Sequence, residues 1–261
     1  MGASRLKTAP VPRPPGALPG DAPPWFTLPP GLRREVTLDQ VRAAFAGAPK
    51  PLGAARPRIV APLELPPGRD VRPAGVLCLL FGDGPQASVV LTRRSPHLHS
   101  HAGEVSFPGG RLRPGELPLH AALREAEEEV GVDPSDVEVI GELTPLTTMR
   151  SPALVYCFVA TFPGPGPGGK DLRAQWSEVE KVFWERLSAL AGDGVFHEEL
   201  WPVGGEGPLE GGAPAYRAVP FFTLEEDVVW GATARMLFEL LSLTLDGGGA
   251  AGLGGGSLEG T

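Results

Sequence analysis

The stretch GGRLRPGELPLHAALREAEEEVGV, residues 109–132, carries the carboxylates Glu116, Glu125, Glu127, Glu128 and Glu129. Like charges at helical spacing repel by roughly 0.2–0.5 kcal/mol per pair, so either water screens these groups or a cation neutralises them. Pro118 suits the first turn of a helix and Gly131 suits the residue just past its end, which predicts one helix between them. Leu119, Ala122, Leu123, Ala126 and Val130 then form its buried stripe. Glu125, Glu128 and Glu129 fall at i, i+3 and i+4 on a different face, with Glu127 turned away. Arg124, four positions before Glu128, can steady that side chain, and Gly109-Gly110 with Pro114-Gly115 put a backbone-rich loop ahead of the helix. Most glutamate runs are solvated faces. Three carboxylates on a rigid element, with positions left for water and phosphate oxygens, are also how Mg²⁺ or Mn²⁺ is held beside a phosphate substrate.

The series Gly110, Glu116, Arg124, Glu125, Ala126, Glu128, Glu129, Gly131, Val132 resembles the Nudix box, G-x5-E-x7-R-E-U-x-E-E-x-G-U with U aliphatic or small, and every fixed position is filled. A pattern of that length and identity is far more specific than a lone glycine-rich loop. The resemblance implies an α+β Nudix fold, an α/β/α sandwich around a mixed β-sheet, and metal-dependent hydrolysis of a diphosphate bond. It also implies that Glu125, Glu128 and Glu129 bind Mg²⁺ or Mn²⁺, that Glu128 or Glu129 contacts the attacking water, and that Arg124 belongs to the catalytic set. A further carboxylate often comes from a downstream loop in this fold, and Glu178 or Glu180 could supply it.

The preceding segment LTRRSPHLHSHAGEVSFPGG, residues 91–110, is similar to the signature of the coenzyme A pyrophosphatase subfamily, L-L-T-x-R-[S/A]-x3-R-x3-G-x3-F-P-G-G. Leu91, Thr92, Arg94, Ser95, Gly103, Phe107, Pro108, Gly109 and Gly110 match, and Val90 replaces the first leucine. His99 stands where the pattern has arginine, exchanging a permanent cation for a group mostly neutral at pH 7. WGATAR, residues 230–235, also looks like this subfamily. The implied substrate is coenzyme A or acyl-coenzyme A, cut to 3′,5′-ADP and (acyl-)4′-phosphopantetheine, with Arg93, Arg94, His99, Gly109 and Gly110 at the substrate. Plainer readings exist for each feature. The arginine pair can be a solvated strand edge, the alternating His97, His99 and His101 a polar loop or a transition-metal site, and Trp230 can pack instead of stacking on adenine. Other functions stay open: a Nudix pyrophosphatase acting on ADP-ribose or another nucleoside diphosphate derivative, and a non-catalytic Nudix-fold ligand sensor.

The elements that must position these residues follow from pattern and punctuation. Proline and glycine dominate residues 1–33, which predicts an irregular or flexible arm. The enzyme domain is expected over residues 34–245, opening with a helix capped by Thr37 and Gln40 and striped by Leu38, Val41 and Phe45. A coil over 49–73 leads to a strand over 74–81, apolar throughout and therefore central, joined through GDGP to a partner strand over 87–92. Further strands are expected over 137–143, 153–162 and 179–184, a short helix over 186–191, and a glycine-rich acidic inserted loop over 192–214. Helical spacing predicts a last helix over 227–245, and residues 246–261 read as a flexible tail.

Charge narrows the partners. The net charge is −8, and residues 1–58 hold nine Lys/Arg against three Asp/Glu, leaving the remainder at −14. An acidic body argues against a general nucleic-acid binder and suits divalent cations and a small-molecule substrate; a homodimer is compatible. No apolar run approaches the roughly 18 residues of a membrane span. Cys78 and Cys157 lack metal-ligand spacing and read as buried thiols in a reducing compartment. With no secretory h-region at the start, the cytoplasm is the expected location.

Overall fold

The structure is a computed structural model that describes residues 11–46, 72–83, 85–97, 102–148, 153–163, 178–203 and 216–251. In chain order its elements are β1 (Leu18–Pro19), α1 (Pro30–Arg33), α2 (Leu38–Phe45), β2 (Arg72–Asp83), β3 (Gln86–Arg94), β4 (Val105–Ser106), β5 (Gly109–Arg111) and α3 (Pro118–Val130). There follow β6 (Glu138–Glu142), β7 (Leu146–Thr147), β8 (Ala153–Thr161), β9 (Val179–Arg186), α4 (Leu187–Leu190), β10 (Phe196–Pro202), β11 (Tyr216–Thr223), β12 (Val228–Trp230) and α5 (Gly231–Ala251).

β2 organises the main sheet. Its alternate side chains Leu77, Leu79 and Phe81 pack with Ala122, Ala126 and Val130 of α3, while Cys78 and Leu80 pack on the other face with residues of α2, α4 and α5. A strand buried on both faces needs no polar face, which is why its sequence is apolar throughout. The sheet runs β4-β3-β2-β8-β6, with β5 on β2, β7 on β8 and β9 on β3. β2 and β8 are parallel, in register from Arg72 opposite Ala153 to Leu80 opposite Thr161, and the other pairs are antiparallel. The result is the expected α/β/α sandwich around a mixed sheet. At Gly75 a Cβ would overlap the carbonyl oxygen of Pro118, so the start of α3 lies directly on β2.

Three expectations need correction. Residues 11–33 are not irregular throughout: β1 pairs with β10, and Trp25 in the 3-10 turn Pro24–Thr27 is fully buried, its ring 5.4 Å from those of Phe196 and Phe238. Proline-rich composition forbids regular hydrogen bonding, yet it does not prevent one large aromatic side chain from docking. Residues 192–214 are not simply an inserted loop, because β10 pairs along its whole length with β11, from Phe196 opposite Phe222 to Pro202 opposite Tyr216. These strands form a second sheet, β1-β10-β11-β12. Its register is set by partners brought from outside the segment, so composition alone misreads it. Lastly, residues 228–230 form strand β12 ahead of the last helix. Val228, Val229 and Trp230 favour a strand, and Gly231, with φ 66°, turns the chain into α5, which continues past residue 245 to Ala251.

The capping box at Thr37 and Gln40 is present in full. Cys78 and Cys157 are free and buried, and burial pushes both thiols up. Among the described residues no helix is long and apolar enough to cross a membrane.

Candidate active site

The helix α3 ends at Gly131 in the left-handed region, φ 75°, as its sequence predicts. Arg124 is clamped at its centre. Nε and Nη2 donate to the two oxygens of Glu116 at 2.8 and 2.9 Å, and Nη1 donates to Glu125 Oε1 at 2.7 Å. The bonds from Arg124, with one from the Arg113 backbone, hold the Glu116 carboxyl down at about 2. Arg124 therefore links the loop before the helix to the helix itself and fixes the direction of Glu125. Its contact with Glu128 is longer, 3.6 Å.

The three carboxylates at i, i+3 and i+4 do not share one environment. Glu129 lies three and seven positions after Ala126 and Ala122, on the flank of the buried stripe, and is only 4% exposed. Its Oε2 accepts from the Gly109 backbone N–H at 3.1 Å, and Arg94 Nη1 stands 3.8 Å from Oε1. Burial pushes this carboxyl up to about 7; the Gly109 N–H and Arg94 oppose the rise, and the charges of Glu125 and Glu178 add to it. Glu125 is partly buried beside Gly110, where a Cβ would overlap its carboxyl group. Glu128 is exposed and takes a 3.1 Å bond from Arg113 Nη2.

A bulge decides the downstream partners. The pairing of β3 with β9 shifts between Arg93, opposite Lys181, and Arg94, opposite Val179. Arg94 lines the cavity above Glu129, and Ser95 N donates to the Glu178 carbonyl at 2.8 Å, bringing Glu178 to the same wall. Arg93 points elsewhere. It is 3% exposed, bonded to Asp227 at 2.8 Å and to Glu180 at 3.1 Å. The expected substrate role of Arg93 is thereby replaced by a buried structural ion pair, and of the two glutamates offered as a further carboxylate only Glu178 lines the cavity. His99 and His101 lie outside the described residues.

These groups open into a cavity of about 770 Å³. The main sheet and α3 contribute Arg94, Gly109, Gly110, Glu125, Glu129 and Glu178 to its lining; the second sheet and α5 contribute Trp201, Arg217, Trp230 and Arg235. Trp201 and Trp230 are 6.0 Å apart between ring centroids. Trp201 and Arg217 escape sequence reasoning because they belong to the unrecognised β10–β11 pairing, whereas Trp230 and Arg235 sit in the WGATAR motif. Among the described residues no three His, Cys, Asp or Glu side chains converge closely enough to form a ready cation cage. The donor chemistry nevertheless suits a hard divalent cation, since Glu125, Glu129 and Glu178 line one cavity and the charges of Glu125 and Glu178 add to the burial that raises the cost of ionising Glu129.

Residues 71–202 match the family model described as NUDIX domain. A protein of Photorhabdus laumondii called Uncharacterized Nudix hydrolase NudL is 34% identical over 157 residues, 60% of this chain and 76% of that protein. The protein of the same name from Escherichia coli strain SMS-3-5 is 37% identical over 162 residues, 60% of this chain and 74% of that one. Among solved structures, a MutT/nudix family protein from Enterococcus faecalis superposes with a TM-score of 0.46 at 18% identity, covering 70% of this chain and 65% of its own. Nudix hydrolases generally use divalent metal ions. With its box filled and its α/β/α sandwich formed around the box, the chain belongs to the NUDIX domain family and is a Nudix hydrolase.

Proposed function

We propose that this enzyme hydrolyses the diphosphate bond of coenzyme A or acyl-coenzyme A, releasing 3′,5′-ADP and 4′-phosphopantetheine or its acylated form. One observation carries the reading: the two motifs meet. Gly109, from the FPGG end of the signature, donates to Glu129 of the box, and Arg94 of the same signature stands 3.8 Å from that carboxylate. A cavity of about 770 Å³ is of the size that holds an extended small-molecule substrate.

Glu125 and Glu129, with Glu178 beside them and Glu128 at the outer edge, would hold Mg²⁺ or Mn²⁺, which when bound neutralises charge on the diphosphate oxygens. Glu129 is our choice to accept the proton of the attacking water, because it lies at the cavity and is oriented by Gly109, whereas Glu128 is turned to Arg113. As the new P–O bond forms, the bond to the bridging oxygen breaks and its electron pair leaves with the departing phosphate. Arg94 offers a guanidinium to the phosphate oxygens, and Arg124 keeps Glu125 aligned.

Mass-spectrometric product analysis tests this. With Mg²⁺ or Mn²⁺ and a panel of coenzyme A, acyl-coenzyme A, ADP-ribose and dinucleoside polyphosphates, the expected products are 3′,5′-ADP and 4′-phosphopantetheine species. Intact coenzyme A alongside rapid cleavage of ADP-ribose would transfer the reading to that substrate.

A further inference from the structure

Part of the cavity lining outside the box is built by β10, β11 and α5. The strand β11 and helix α5 lie beyond the residues that match the NUDIX domain model, so the charge they bring is additional to the family's box. That charge is a pair of guanidiniums. Arg217 is delivered by β11, directly opposite Trp201 in the β10 register, and Arg235 by the first turns of α5; both line the cavity and both are only partly exposed. Neither guanidinium makes a hydrogen bond or an ion pair with any described residue. Glu239 attracts Arg235 at longer range without a direct contact, and its Oε1 accepts from the N–H and hydroxyl of Thr144 at 2.9 and 2.7 Å.

Desolvation lowers both arginines, and the charge of Arg235 lowers Arg217 further. Two like charges turned toward one half-buried cavity cost stability unless a ligand compensates them. The compensating group must be an anion, it must be able to accept from two forks, and a dianion matches two cations better than a carboxylate does. A phosphate monoester, carrying about −1.5 to −2 at neutral pH with three acceptor oxygens, meets all of these conditions. Under the function proposed above the diphosphate has its own cation in Arg94 beside Glu129, which leaves these two guanidiniums for a further anionic group. The N-terminal residues Gly231, Ala232 and Thr233 of α5 also line the cavity, where the positive end of a long helix reinforces the preference.

We propose that Arg217 and Arg235 form a second anion site, which receives a terminal phosphate monoester carried on the substrate away from the scissile diphosphate. The identity of that group as the 3′-phosphate of coenzyme A rests on the function proposed above; the existence of the site does not. The site separates coenzyme A from dephospho-coenzyme A and from ADP-ribose, which lack such a group.

Isothermal titration in EDTA tests the site without turnover, using adenosine 3′,5′-bisphosphate and adenosine 5′-monophosphate as probes. The wild-type enzyme should bind the bisphosphate about tenfold more tightly or better, the size of one charge-assisted interaction. Arg217→Gln and, separately, Arg235→Gln should bring the two affinities together, and the lysine variants should retain part of the difference. In steady-state assays the same glutamine substitutions should raise KM for coenzyme A relative to dephospho-coenzyme A, again about tenfold, with the effect in KM rather than kcat. Equal wild-type affinity for the two probes, or variants that weaken both equally, would overturn the site. Should Arg235→Gln fail to fold, the Arg217 variants on the edge of β11 and the wild-type titrations still decide. Coenzyme A left uncut, together with arginine-dependent preference for the bisphosphate, would sink the proposed function and leave the site standing. Coenzyme A cut with an unaltered preference in both variants would do the reverse.

Discussion

Arg93 Nη1 and Asp227 Oδ1, 134 positions apart in the chain, lie 2.8 Å from each other with both side chains buried. This ion pair ties the end of β3 to the start of β12, one residue away from Arg94 and the cavity. It anchors the wall that carries Trp230 to the sheet that carries the box loop.

Removing Asp227 leaves the buried Arg93 with only the more exposed Glu180 as a partner. Asp227→Ala should lose about 3–5 kcal/mol of stability, read from urea unfolding. Arg94→Ala should cost less stability than Asp227→Ala while lowering kcat/KM by an order of magnitude or more, because Arg94 lines the cavity and its contact with Glu129 is long, 3.8 Å. The opposite ranking of the two variants would reverse their assigned roles.

The division between Glu129 and Glu128 predicts unequal substitutions. Glu129→Gln and Glu125→Gln should each reduce kcat by about two orders of magnitude or more, and Glu128→Gln by clearly less, with all three unfolding cooperatively. EDTA should abolish wild-type turnover, and added Mg²⁺ or Mn²⁺ should restore it. A Glu128 variant more impaired than Glu129→Gln would move the principal role to the exposed position.

Trp25 is the anchor of the proline-rich segment. Trp25→Ala should cost roughly 3–5 kcal/mol, the range for deleting a buried aromatic side chain, and should make residues 11–33 more susceptible to limited proteolysis. A variant with wild-type stability would return the segment to the status of an unattached arm.

Glu239 supplies a pH signature remote from the carboxylate wall. Burial raises its carboxyl, and the bonds from Thr144 and the charge of Arg235 offset only part of that. The folded state therefore holds its proton to higher pH than the unfolded chain does. The associated stability is fully present below the unfolded value of about 4.3 and is lost as pH rises through the folded value. Glu239→Gln keeps an acceptor for Thr144 and removes the titration, so the variant should have the higher Tm at pH 8 and a flatter Tm profile down to pH 4. Parallel profiles for wild type and variant would refute this.

The sequence by itself determined whatever is decided within a turn or a pleat. The span of α3 and its glycine end, the capping box of α2, the two-faced burial of β2 and the presence of a filled box all depend on neighbours at fixed short spacing. Only the tertiary structure decided how adjacent residues part company: Arg94 to the cavity and Arg93 to Asp227, Glu178 to the cavity and Glu180 to Arg93, Glu129 inward and Glu128 outward. Periodicity says that neighbours point in different directions, but which direction meets the site depends on a bulge between β3 and β9 and on how close α3 lies to β2. Trp201 and Arg217 show the same limit from the other side. Nothing in their local sequence announces a site, and they reach the cavity because β10 and β11 pair with each other and dock through Phe196, Phe222 and α5, contacts that no short-range pattern encodes.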